Sequence, residues 1–222
     1  MKHPILLALF CLGIILLTAF YFISKVLYKQ RHQVNYSFTR MFPYELNYPS
    51  VFKENIWGNV LFIFGCITVV VFYILNPHDS TYRVVNIALS IVLTMVFLCL
   101  LLMPLYYLRT HLVLSILAMT LSVAVTLVNL LFGYSYFKVF TDNASRVLAI
   151  IAMVVSGLLA LTMLVLILNP RLSFKIYLDK ETDSSGNEVL KRPKVIFLAL
   201  NEWVSIFILF LSPISILLLS LM

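Results

Sequence analysis

Charge is what this chain has least of. Only 11% of its 222 residues are charged, with nine Asp and Glu against sixteen Lys and Arg. Soluble domains carry about 25%, so this sequence cannot furnish an ordinary water-facing shell. Cysteine is also sparse: Cys11, Cys66 and Cys99 are odd in number, fall within apolar runs and form no CxxC pair. That argues against a disulfide framework or a zinc ribbon. There is no GxSxG elbow, no HExxH, no phosphate-cradling glycine loop and no paired acidic motif to hold a metal. His3, His32, His78 and His111 sit in termini or loops. The reading is therefore no catalytic residue, no cofactor and no metal site.

What the chain has is length of apolar sequence. Hydrophobic residues make up 62% and the mean hydropathy is +1.03. A hydrocarbon core of about 30 Å is crossed by about 20 helical residues, and six runs have that length: 4–23, 57–75, 84–108, 112–137, 147–168 and 203–222. Transmembrane strands would be about 10 residues long with alternating polarity, whereas VLTMVFLCLLLMPL is apolar all round. The expected fold is an all-α polytopic membrane protein, a single six-helix domain over 1–222.

The basic residues orient it. Twelve of the sixteen Lys and Arg fall in the segments after spans one, three and five, and only Lys2, Arg83, Lys138 and Arg146 fall on the other side. Basic loops stay cytoplasmic, so both termini are placed outside, in a cytoplasmic-type cell membrane. The formal net charge of +7 is accounted for by this topology, and no nucleic-acid partner is expected.

Two cytoplasmic segments remain, 24–56 and 169–202. The first mixes aromatics with Pro43 and Pro49 and reads as a stretch lying along the headgroups, with a re-entrant, cavity-lining segment as the alternative. The second alternates in FKIYL, breaks at DSSGN and resumes in EVLKRPK. That pattern predicts a small β-hairpin, with Gly186 and Asn187 in the turn.

Polar side chains inside the runs are the candidate functional groups: Glu202, Asn201, Asn129 and Asn59. Glu202 is the important case. If the last run ends at the outer headgroups, Glu202 falls at the inner boundary, with Trp203 as an interfacial anchor matching Trp57 at the start of span two. Placed deeper, it would serve proton or cation handling. Small residues at steps of four, Ala118, Ser122 and Thr126 in span four and Ala152, Ser156 and Ala160 in span five, read as helix-packing stripes.

The functional expectation is a non-catalytic, partner-binding subunit of a membrane assembly, contacting a protein through 24–56 and 169–202 and the lipid bilayer elsewhere. The alternative is transport, as a small carrier or the membrane component of a transporter. A lipid-modifying enzyme, drawing on Glu45, Glu54, His32 and His111, comes last.

Overall fold

Six apolar stretches need six helices, because backbone groups in lipid must be satisfied within the segment. The structure, a computed structural model, describes residues 3–47, 54–76, 81–102, 108–172, 179–182, 188–191 and 193–221. Its body is helical: α1 (His3–His32), α2 (Ile56–Leu75), α3 (Thr81–Leu102), α4 (Leu108–Val139), α5 (Asn143–Ile167), α6 (Phe197–Leu211) and α7 (Pro213–Ser220). Among the described residues, six helices are long and apolar enough to cross a membrane, counting Phe197–Ser220 as one. The chain is a multi-pass membrane protein by that measure.

The first span runs nine residues past its expected end, to His32, and the last starts six residues before its expected start. The last span begins at Phe197, and Phe197–Leu200 form the first turn of α6. It then breaks at Ser212, where Pro213 has no N–H to continue the ladder and opens α7. This broken span is the centre of the bundle. Two-thirds of its most apolar window is buried (67%), against 22% for the first and fifth spans, which form the lipid-facing flanks.

Packing between neighbours follows the small residues. All six stripe residues are buried, and α4 and α5 form one of the two closest helix pairs, α1 and α2 the other. At Gly133 an added Cβ would lie 2.9 Å from Met153 Cγ and 3.5 Å from the Ala149 carbonyl, so that position is kept clear for the approach of α5. The start of α5 is capped by Asp142, whose carboxylate accepts the Ser145 N–H at 2.8 Å. That bond holds the Asp142 carboxyl below its usual range.

The stretch after α1, residues 34–47, packs against the helices. It folds inward: Tyr36 is buried, and Phe42 leads into a 3-10 turn, Pro43–Asn47, that is buried throughout. The reason is visible in its hydrogen bonds. Asn47 Nδ2 donates to the Leu101 carbonyl at 2.8 Å, satisfying the exposed end of α3. Tyr36 Oη donates to the Phe42 carbonyl at 2.9 Å, and Trp203 Nε1 donates to Tyr36 Oη at 3.0 Å. In the second segment, Asp179–Thr182 pairs antiparallel with Glu188–Lys191. Gly186 and Asn187, where the turn was expected, lie outside the described residues.

Candidate functional site

The inward fold of the first loop creates a closed polar centre at one end of the bundle. It is built from the first turns of α4, the second turn of α6 and the loop. On α4, His111 and Ser115 are four residues apart and therefore share a face. On α6, Glu202 projects toward them. Ser115 Oγ donates to Glu202 Oε1 at 2.6 Å, and His111 Nε2 lies 2.9 Å from the same oxygen. The imidazole contact lacks the alignment of a hydrogen bond. Glu202 is 1% exposed and His111 7%; Glu202 Oε2 is buried without a hydrogen-bond partner.

The loop supplies the cover. Phe42 and Tyr44 stack on each other at 5.5 Å and both meet the His111 ring edge to face, at 5.4 and 5.2 Å. Glu45 turns back to accept the Phe42 N–H at 2.8 Å, which fixes the turn beneath those rings. Burial pushes the Tyr36 phenol well above its usual value. The bond from Trp203 works the other way, and the Glu45 and Glu202 carboxylates add to the rise.

The Ser115 hydroxyl donates to the Glu202 carboxylate or to the His111 carbonyl at 2.8 Å, and not to the imidazole. No group of three or more His, Cys, Asp or Glu that could hold a metal occurs among the described residues. The centre can hold a proton and a balanced pair of charges. A separate groove of about 300 Å³, lined mostly by apolar side chains such as Ile116, Met119, Ile167 and Leu172, lies between α4 and the end of α5 and does not include the pair.

The four polar candidates from the sequence are not brought together. Asn201 is fully buried beside Glu202, but its amide donates to the Phe197 carbonyl of its own helix at 2.8 Å. Asn129 belongs to a second cluster at the break in the last span, where its amide donates to the Ser212 carbonyl at 3.0 Å and Tyr73 Oη bonds Ser212 Oγ at 2.9 Å. Ser115 and Asn129 are fourteen residues apart, roughly 21 Å along α4. Asn59 is in the first turn of α2 near a third pair, Asn55 Nδ2 on Ser24 Oγ at 2.7 Å.

Of the two tryptophans, Trp57 is 70% exposed and Trp203 is fully buried. Trp203 does not face outward as an anchor: its ring lies among Phe20, Tyr21, Tyr36 and Phe207. The cause is the loop, whose Tyr36 hydroxyl and Met41 carbonyl give the indole N–H a partner inside the protein. His111 and Ser115 were missed as partners of Glu202. Their signal was present: they extend the stripe of Ala118, Ser122 and Thr126 one and two turns toward the start of α4. Comparisons with protein-family models, curated proteins and solved structures found no match.

Proposed function

We propose that this chain is a non-catalytic, partner-binding subunit of a cell-membrane assembly, with both termini outside and its binding face in the cytoplasm. One observation carries the reading. The two segments assigned to the cytoplasm are joined to each other, the Ile196 N–H donating to the Thr39 carbonyl at 2.8 Å. Around that link Val34, Phe38 and Val195 stand exposed although none belongs to a span. A fixed loop face carrying exposed apolar side chains is what a partner surface needs.

The test is purification from gently solubilised membranes through a tag on the C-terminus. The intact chain is compared with one whose residues 180–190 are a Gly/Ser linker and with a Phe38→Asp, Val195→Asp variant. A protein that co-purifies at fixed stoichiometry with the intact chain and is lost from the variants supports the reading. A solitary chain in every case overturns it.

A second reading, the membrane component of a transporter, draws on the broken last span. Asn129, Tyr73 and Ser212 gather where its helix is interrupted, and discontinuous helices are where carriers place their sites. Loss of a transport phenotype in a well-folded Asn129→Ala variant would favour it.

A further inference from the structure

Glu202 is the only acidic side chain inside a candidate span among the described residues, and its partner is itself titratable. A buried carboxylate and imidazole balance each other when both are ionised or both neutral. One proton more or fewer leaves a single charge with no water to solvate it. The loop closed over the pair is held by the same residues, since the Phe42 and Tyr44 rings rest on the imidazole.

We propose that Glu202 and His111 form a proton-binding site at the cytoplasmic end of the bundle, and that gain or loss of a proton there loosens the Tyr36–Asn47 loop. The proton comes from and returns to cytoplasmic water; only an O–H or N–H bond is made or broken. Ser115 steadies the carboxylate, and unpartnered Oε2 is the acceptor left open to an incoming proton.

The surrounding groups are few. The loop contributes Glu45, Arg40 and the Tyr36 and Tyr44 phenols, and α4 adds exposed Arg109. In α1, Lys25 stands over the Tyr21 ring at 5.7 Å, Arg31 pairs with Glu54, Lys29 is exposed, and His32 packs on the Tyr28 ring, which meets Tyr36. The only acidic or basic residue of α3 is Arg83, and that of α5 is Arg146, each in its first turn and so at the opposite end; α2 and α7 have none. Glu45 is thus the one other carboxylate that could be confused with Glu202.

Trp203 reports the event, because it follows Glu202 directly and its indole N–H rests on Tyr36 and Met41 of the loop. The full chain with Trp57→Phe is placed in lipid nanodiscs and titrated from about pH 4 to pH 9, the range in which Glu and His ordinarily ionise. The readout is acrylamide quenching of Trp203. Quenching should rise toward at least one end of the range. Glu202→Gln and His111→Gln should each abolish that transition or move its midpoint by about one unit or more, whereas Glu45→Gln should leave it in place, and His32→Gln should also leave it in place. A flat titration, a midpoint unmoved by both substitutions, or a transition lost in Glu45→Gln or His32→Gln overturns the proposal.

If the first two variants do not fold, Ser115→Ala retains both ionisable groups and removes one donor from the carboxylate. The midpoint should then rise on either side, because the form with the less compensated carboxylate has lost a hydrogen bond. An unmoved midpoint counts as failure. The experiment uses the isolated chain, so its outcome is independent of the partner-binding reading.

Discussion

Ser24, Asn55 and Gly58 show how tightly single side chains are specified at the start of α2. A Cβ at Gly58 would lie 2.2 Å from Ser24 Oγ and 2.3 Å from Asn55 Oδ1, whereas one at Gly157 would meet only Leu130 Cδ1 at 3.6 Å. Gly58→Ala should therefore lower the unfolding free energy in detergent by about 1–3 kcal/mol, and Gly157→Ala should change it little. Tyr36 is a second such residue. Tyr36→Phe leaves the buried Trp203 N–H with only the longer Met41 contact of 3.2 Å, at a cost of about 1–3 kcal/mol. It also tests linkage. With the folded phenol raised above the unfolded value of about 10, the neutral form is favoured by folding. That share of stability is complete below about pH 10 and falls away as pH climbs through the unfolded value toward the folded one. Alkaline unfolding curves of Tyr36→Phe should be correspondingly shallower.

Helices of this chain pack without a hydrophobic drive between them, since lipid tails are as apolar as leucine. Close fit and a few buried hydrogen bonds must do the holding. The break in the last span illustrates it, because Asn129 and Tyr73 from two other helices converge on Ser212 where Pro213 interrupts the ladder. Tyr73→Phe and Asn129→Ala should not be additive: a double-mutant cycle by thermal unfolding should give a coupling of about 0.5 kcal/mol or more. At this scale the sequence was informative where periodicity and length decide. The apolar runs marked every helix, and the step-of-four residues marked buried faces. It misled where a loop adds structure that periodicity cannot encode. Aromatic residues between Val34 and Asn47 suit a headgroup layer and a protein interior equally well, and only hydrogen bonds from Trp203 and to Leu101 tell them apart. Because Trp203 has a partner indoors, Glu202 beside it is covered by protein at the end of the bundle.

The orientation of the whole molecule rests on charge, with twelve basic residues assigned to one side and four to the other. In a background with Cys11, Cys66 and Cys99 replaced by Ser, a cysteine at exposed Thr141 should react with an impermeant maleimide on intact cells. One at exposed Arg171 should react only after permeabilisation. The reverse pattern would invert the assignment of both loops. Apolar flanks against a two-thirds-buried final span also set the order in which the molecule can be completed. The bonds that close the first loop reach across the chain: Tyr36 waits for Trp203, 167 residues later, and Thr39 waits for Ile196. During synthesis five spans can therefore enter the bilayer while that loop is still unanchored, and Glu202 arrives on the same helix that fastens it. Synthesis interrupted before residue 196 would leave an inserted protein with an open loop and no buried carboxylate, so the Glu202–His111 centre forms only once α6 has been made.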